Sequence, residues 1–320
     1  MKFLFILDPL AGIKTAKDTT YAMMCAAQAR DHELAVCGIQ DLSFDSQGAA
    51  GQRVQAVSQM LTLRPDRPDW YELGQQTPRA LAGFDAVLMR TDPPFDMEYV
   101  YATYMLERAE AEGARVFNKP RAIRDHNEKF AIAEFPELTA PTIVTRSAAR
   151  LREFVAQHGR AVFKPLDGMG GSSIFQARAD DSNLSVIIET LNQFGQVSVM
   201  AQKFLPEIAA GDKRILLIGG QVVPHALARI PAQGEFRGNM AAGGKPVAQP
   251  LSDTDRRIAE RLAPELAARG LLLVGLDVIG ERVTEINVTS PTGFQEIGRQ
   301  TGFDVAGLFV EQLERAVMAR

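Results

Sequence analysis

Apolar and polar positions fall in blocks along this chain, and the period changes from block to block. Residues 2–7, 33–39, 85–90 and 115–118 are short apolar runs of the kind that form buried strands. Between them, residues 18–30 and 96–113 carry the mixed spacing of helices with one apolar face. Such alternation predicts a parallel sheet with helices on its faces. Residues 43–70 are polar, with Pro65 and Pro68, and read as a surface excursion. After Asn118-Lys-Pro120 the pattern predicts a charged helix over about 121–134, closed by the Pro136–Pro141 break. Helix 147–158, strand 160–165, a glycine loop at 168–171, strand 173–178, helix 183–194 and strand 197–202 follow. Strands 213–218 and 221–229 flank Gly219-Gly220, a hairpin signal. Residues 230–250, rich in Gly, Ala, Pro and Gln, read as a long mobile loop. Helix 253–269, a hairpin over 271–288 and a helix near 304–318 complete the pattern.

That last hairpin carries polar groups inside apolar runs. Asp277 lies in one strand, and Glu285 and Asn287 lie in the next. Acids are seldom fully buried unless paired or bound to a cation. Oxygen ligands of this kind suit Mg²⁺, usually together with substrate phosphates. A hairpin with its acids at a solvated edge is the plain alternative. Register decides the geometry. A two-residue turn at Gly280-Glu281 pairs 279 with 282 and sets Asp277 against Thr284, turning Glu285 to the other face. A three-residue loop, Gly280-Glu281-Arg282, sets Asp277 against Glu285, with Asn287 on the same face. The longer loop is therefore the expected one.

Composition narrows the class. A length of 320 residues predicts about two domains. A net charge of −4 argues against broad nucleic-acid affinity. Cys25 and Cys37 lack CxxC spacing and read as reduced core residues. The opening apolar run is too short for a signal peptide or a membrane span, and no later run approaches one, so a cytoplasmic protein without a membrane partner is expected. Tyr99, Tyr101, Tyr104 and Leu106 on helix 96–113 read mainly as a core face, with packing against a neighbouring copy as the alternative.

Other segments carry candidate chemistry. In Lys164-Pro-Leu-Asp-Gly-Met-Gly-Gly171, glycines at 168, 170 and 171 let backbone amides approach an anion, and Lys164 can add charge. The strand–loop–strand setting is not that of a P-loop, and a flexible hairpin is the alternative. Gln202-Lys203-Phe204-Leu205 leaves a strand and could face an adenine ring, or could be a plain strand exit. Lys129, alone on a charged helix, would ordinarily be solvated. Arg214, Arg229 and Arg237-Gly-Asn239 lie on or beside the glycine-rich loop, where guanidinium forks suit an anionic substrate under a lid.

The order of these segments is that of ATP-grasp ligases. Over nearly its whole length the chain resembles the bacterial glutathione synthetases. The passages that carry the resemblance are Met89-Arg-Thr-Asp-Pro-Pro-Phe-Asp96, Asn118-Lys-Pro120, the Lys164–Gly171 loop, Leu227-Ala-Arg-Ile-Pro231, Arg237-Gly-Asn239 with Ala-Ala-Gly-Gly244, and Thr284-Glu-Ile-Asn-Val-Thr-Ser-Pro-Thr292. The resemblance implies an α/β protein with a Rossmann-like N-terminal domain, residues 1–122, followed by a two-subdomain ATP-grasp fold. Residues 123–200 would form its lid and 201–320 its C-terminal part. It implies ATP-dependent joining of γ-glutamylcysteine to glycine with Mg²⁺, or Mn²⁺ in its place, in a homo-oligomer, a tetramer above all. By position, Lys129, Lys164, Gly168, Gly170 and Gly171 would meet phosphates. Gln202, Lys203, Phe204 and Leu205 would form the adenine hinge, and Asp212 would join the ATP site. Many relatives carry Glu where Gln202 begins that hinge. Glu285 and Asn287 would bind the metal, with Asp277 beside them. Arg214, Arg229, Arg237 and Asn239 would serve catalysis and substrate carboxylates, and Ser290 and Thr292 the incoming amino acid. A ligase for another amino-acid or peptide acceptor, and a non-catalytic ATP-binding regulatory module, are the competing readings.

Overall fold

A computed structural model describes residues 1–50, 52–65, 67–240 and 243–319. Three sheets organise it. In the first, strands Glu33–Cys37, Lys2–Ile6, Ala86–Met89 and Val116–Phe117 lie parallel in that order. Helix Thr19–Gln28 makes the first crossover, with the Asp18 carboxylate accepting the Tyr21 backbone N–H at its start.

The segment at 43–70 departs from the expected surface excursion. Val54–Leu63 is a ten-residue strand, antiparallel to Glu33–Cys37, and it carries the short strands Leu42–Phe44, Tyr71–Leu73 and Thr77–Ala80. Its buried residues, Val54, Ala56, Ser58, Leu61 and Leu63, are spaced mainly two apart. The two prolines lie just beyond the strand; they end it and do not unravel what precedes them.

The second sheet is antiparallel, in the order Phe175–Arg178, Arg160–Pro165, Val199–Lys203, Thr142–Thr145. Helices Ala148–His158 and Leu184–Asn192 cover it through Leu151, Val155, Phe163 and Ile188. The third, also antiparallel, runs Lys245–Pro250, Gln221–Ile230, Asp212–Ile218, Leu273–Ile279, Arg282–Asn287. Part of the expected mobile loop is thus the edge strand Lys245–Pro250. Its prolines, Pro246 and Pro250, are tolerated because the strand is an edge. Ala241 and Ala242 of that loop lie outside the described residues.

The expected helix at 121–134 is broken. An α-helix covers Pro120–Asp125 and a 3₁₀ turn covers Phe130–Glu134. Between them Asn127, Glu128 and Lys129 turn toward the third sheet and the glycine loop. A further helix, Phe294–Thr301, precedes the foreseen Val305–Met318.

The third sheet has two different faces. Ile215, Leu217, Leu276 and Val278 pack under helix Asp253–Ala268. On the opposite face, Leu216 and Ile218 join a core with Phe3, Phe5, Met23, Phe309 and Leu313, drawn from both ends of the chain. Alternation then places Asp212 and Arg214 on that second face. The face therefore changes from apolar to charged along one strand, and the charged end opens into a cleft. Among the described residues no helix is long and apolar enough to cross a membrane. On helix Met97–Ala111, Tyr99 and Leu106 are core residues, whereas Tyr101 and Tyr104 are exposed.

Candidate functional site

The hairpin reaches the required arrangement by another route than expected. Its turn is the shorter one: Ile279 pairs with Arg282 around Gly280 and Glu281, and Val278 pairs with Val283. The register then shifts at Thr284, so Asp277 pairs with Glu285 and Gly275 with Asn287. A β-bulge supplies the odd residue that the longer loop was to supply. The Thr284 hydroxyl donates to the Asp277 carbonyl at 3.2 Å. Asp277, Glu285 and Asn287 consequently share one face.

Cations surround these acids. The Arg214 Nε donates to Asp277 at 2.5 Å and its Nη2 at 3.0 Å. Arg229 bridges Asp277 at 2.9 Å and Asp212 at 2.5 Å. Burial alone pushes a carboxyl upward, but Arg214 and Arg229 outweigh it and hold Asp277 well below the usual range. Asp212 has a smaller share of these cations and one buried oxygen without a partner. Burial pushes it up to about 6 against the pull of Arg229, with Asp277 and Glu285 adding to the rise.

Glu285 sits opposite two lysines. Its carboxylate is 3.8 Å from the Lys129 ammonium and 3.9 Å from that of Lys164. Lys129 is only 4% exposed, so the solvated reading of this residue does not hold. It also donates to the Gly168 carbonyl. Lys164 is pulled below its ordinary value by burial and by the Lys129 charge, with Glu285 opposing.

The glycine loop and the long loop meet over this centre. Gly170 and Gly171 adopt φ of +63° and +81°, a region open to glycine. A Cβ on Gly171 would lie 2.7 Å from the Asn239 amide oxygen. Arg237 donates to the Gly171 carbonyl at 3.1 Å and pairs with Glu235 at 2.6 Å. A Cβ on Gly238 would lie 2.6 Å from the Arg229 carbonyl, so the loop lies directly on the strand that carries Arg229.

Two clefts join at Asp277, Glu285 and Asn239. The first, with about 670 Å³ of empty volume, is lined by Val162, Ile174, Phe204, Leu205, Phe236 and Ile279. Its apolar walls suit a flat ring. Gln202 is buried at its edge and donates to the Thr142 hydroxyl at 3.2 Å; the Arg160 guanidinium lies 3.7 Å from the Phe204 ring centroid. The second cleft, about 1290 Å³, holds Gly168, Gly170, Arg214, Arg229, Asn287, Ser290 and Thr292, and continues to Lys14 and Lys17. All the foreseen residues thus lie in or beside one continuous space, with Lys203 exposed at its rim.

Three supporting residues were not foreseen as parts of the site. One Glu128 oxygen accepts from the Val288 and Thr289 backbone at 2.9 and 3.0 Å and from the Thr289 hydroxyl at 2.7 Å. Asn118 exchanges two hydrogen bonds with Leu273, at 2.7 and 2.9 Å, and donates to the Val288 carbonyl at 2.8 Å. Buried Arg90 donates to the Thr20 hydroxyl at 3.1 Å and to the Pro291 carbonyl at 3.2 Å. Together they fix the segment that carries Ser290 and Thr292. Helical or strand periodicity gives no signal for such links; the only cue was the unusual Asn118-Lys-Pro120 at a strand end.

The same face offers oxygen donors for a cation. Among the described residues no three His, Cys, Asp or Glu side chains form a metal cluster. Glu285 and Asn287 nevertheless offer hard oxygens on one face; the Asn287 amide nitrogen donates to Gly275 at 3.0 Å, which fixes the side chain's orientation. Two protein oxygens supplemented by phosphate fit Mg²⁺.

Known proteins match this chain over nearly its whole length. The model of the prokaryotic glutathione synthetase N-terminal domain matches residues 1–124, and that of the prokaryotic glutathione synthetase ATP-grasp domain matches 128–302. A glutathione synthetase of Ralstonia nicotianae is 60% identical over 99% of this chain and 96% of its own. One from Nitrosomonas europaea is 55% identical over 99% and 98%. Among solved structures, the D-cycloserine synthetase DcsG superposes with a TM-score of 0.67 at 15% identity, covering 98% of this chain and 99% of its own, a likeness of fold. On these sequence matches over nearly its full length, the chain belongs to the prokaryotic glutathione synthetase family.

Proposed function

We propose that this chain is an ATP-dependent ligase that joins γ-glutamylcysteine to glycine, with the chemistry at the junction of the two clefts. The observation that carries the reading is the convergence of Glu285 and Asn287 with Lys129 and Lys164 where an apolar cleft meets a polar one. Residues 1–122 are read as the N-terminal domain, 123–200 as the lid and 201–320 as the C-terminal part.

The adenine lies in the apolar cleft beside Gln202–Leu205, and the phosphates extend past Lys164 and Asp212 to Lys129 and the glycine loop. Glu285 and Asn287 would hold Mg²⁺, or Mn²⁺; Asp277 acts mainly by neutralising Arg214 and Arg229. An ion bound there would supply screening of phosphate charge. The cysteinyl carboxylate of the dipeptide attacks the γ-phosphorus. An O–P bond forms, the bond to the β–γ bridging oxygen breaks, and ADP leaves. The glycine amine then attacks the acyl carbon, loses a proton and expels phosphate. Phosphorylation is needed because oxide is not a workable leaving group, and phosphoryl transfer rests mainly on positioning and charge neutralisation.

Arg214 stabilises the acyl phosphate and the tetrahedral oxyanion. Arg229, Arg237 and Asn239 face substrate carboxylates, and Ser290 and Thr292 orient the acceptor. Loop 230–245 excludes water from the acyl phosphate. A homotetramer in the cytoplasm completes the reading, with exposed Tyr101 and Tyr104 offering a contact surface. The test is phosphate release with ATP, Mg²⁺ and γ-glutamylcysteine, with and without glycine. Glycine-dependent release together with tripeptide is expected; release only with another amino acid overturns the acceptor assignment, and binding of ATP without turnover overturns the reaction.

A further inference from the structure

A second polar cluster shares no lining residue with the two clefts. Lys119, Arg121, Asp125, His126, Glu134 and Arg269 surround a cavity with about 680 Å³ of empty volume. His126 is only 5% exposed, and it stands three residues before Lys129.

Hydrogen bonds assign its tautomer. Nδ1 lies 2.6 Å from the Ala122 carbonyl oxygen, which only accepts, so Nδ1 carries the proton. Nε2 lies 2.5 Å from Nη1 of Arg269, which only donates, so Nε2 presents its lone pair. The ring is therefore neutral.

Both bonds shape the chain. Ala122 belongs to helix Pro120–Asp125, and in a continuing helix its carbonyl would accept the His126 backbone N–H. That N–H goes instead to the Ile123 carbonyl at 3.4 Å, and the imidazole takes its place on Ala122. The chain leaves the helix at His126, and its next three residues reach the site. Asn127 donates to the Leu166 carbonyl at 3.0 Å, Glu128 accepts from Val288 and Thr289, and Lys129 meets Gly168 and Glu285. Arg269 closes the other end. It pairs at 2.8 Å with Glu134, the last residue of the 3₁₀ turn Phe130–Glu134, and is itself held by Glu265 at 2.6 Å. One guanidinium thus ties the residue before the Asn127–Lys129 segment to the turn that follows it.

We infer that His126, as the neutral Nδ1–H tautomer, is a positioning residue for Lys129 and Glu128. It touches no reacting group and acts through the helix stop and the Arg269 tie. The inference rests on the reading of Lys129 as a phosphate contact and adds to it what sets that lysine in place.

This tie is sensitive to protons. A proton on Nε2 would face the Arg269 guanidinium, donor against donor, and the two must part. The charged groups around the ring are Arg269 and Glu265 at the end of helix Asp253–Ala268, Glu134 on the 3₁₀ turn, Arg121 and Asp125 on its own helix, and Lys119 before it. Arg121 is paired with Asp125 at 3.6 Å. Glu134, 3.9 Å from Nε2, can take up the new donor, and doing so draws it from Arg269. Acid therefore opens the tie.

Dissociation constants for Mg²⁺–ATP, without dipeptide or glycine, test this between about pH 8 and about pH 6, where imidazole ordinarily changes charge. The proteins are the unaltered one, H126Q, which keeps an uncharged donor and acceptor, H126L, which has neither, and K129M. At about pH 8 H126Q binds as the unaltered protein does, and H126L binds about 10-fold more weakly, the scale for a hydrogen bond to a charged group. Towards about pH 6 the unaltered protein loses affinity relative to H126Q and approaches H126L. Protonation of ATP weakens all the proteins alike, so the ratio of the unaltered protein to H126Q carries the result. A ratio that does not change with pH overturns the inference, as does binding by H126L as tight as that of the unaltered protein, or by H126Q as weak as that of H126L. Should H126L not fold, the ratio decides alone. K129M separates the two claims. Unweakened ATP binding there removes Lys129 from the phosphates and overturns the underlying reading as well. Weakened binding in K129M with no effect in either His126 variant overturns only the positioning role.

Discussion

Asp277 faces Glu285 across the hairpin although the turn two rungs away has the parity that would set Thr284 there. The bulge at Thr284 makes up the difference, and the two acids then divide the cations between them. Asp277 takes Arg214 and Arg229, while Glu285 lies beside Lys129 and Lys164.

Glu285 is proposed to be the principal ion ligand, so Glu285→Gln keeps the shape and removes the charge. Turnover should fall by about 10²–10³-fold, the scale for losing one charge-stabilising group. A titration with Mg²⁺ should show saturation displaced to higher concentration. Near-normal activity at low Mg²⁺ would remove Glu285 from that role.

Asp277 holds two buried guanidinium groups. Asp277→Asn leaves both with less counter-charge and should destabilise the fold by about 3–5 kcal/mol, as breaking a buried pair does. Urea unfolding monitors this. A loss below about 1 kcal/mol would mean that solvent or Asp212 replaces the lost carboxylate, because exposed pairs lie in that range.

Asp212 has the opposite sensitivity. Its folded-state value is raised from 3.8 to about 6, so the folded state binds the extra proton. Its contribution is stabilising below about pH 4 and is lost as pH rises through about 6. Asp277, held low by its arginines, contributes in the other direction and outside this window, in more acid solution. Comparing unfolding of the parent and Asp212→Asn from pH 4 to pH 7 should show a decline in the parent that the variant lacks.

Gly238 has no room for a side chain. Gly238→Ala would bring a Cβ 2.6 Å from the Arg229 carbonyl and 2.9 Å from the Asp212 Cβ, lifting the loop from its seat. ATP hydrolysis should rise relative to tripeptide formation as water reaches the acyl phosphate. An unchanged ratio would show that the loop does not exclude water.

Much of this arrangement was legible in the sequence because it follows strand periodicity. The apolar runs located most of the strands, and the alternation within 282–288 put Glu285 and Asn287 on one face. The turn did not follow, because Gly280-Glu281 permits two lengths and a bulge is invisible to a hydrophobic pattern. Val54–Leu63 was lost beneath the polar residues of its exposed face and the prolines after it. Lys129 was undervalued because its neighbours are charged; its burial comes from a break in the helix, where Asn127 accepts the Phe130 backbone N–H and starts a new turn. Glu128 and Arg90 act on backbone groups far away in sequence, and such contacts have no local signature.

The core that joins Phe3, Phe5 and Met23 to Leu216, Ile218 and Phe309 bears on how the molecule comes apart. A fragment ending near residue 124 would bare this apolar surface to water, and one beginning there would bare its counterpart. Asn118 would be severed from Leu273 and Val288 as well. The segments matched by separate family models therefore share one core across their boundary, and loss of either should expose and destabilise the other.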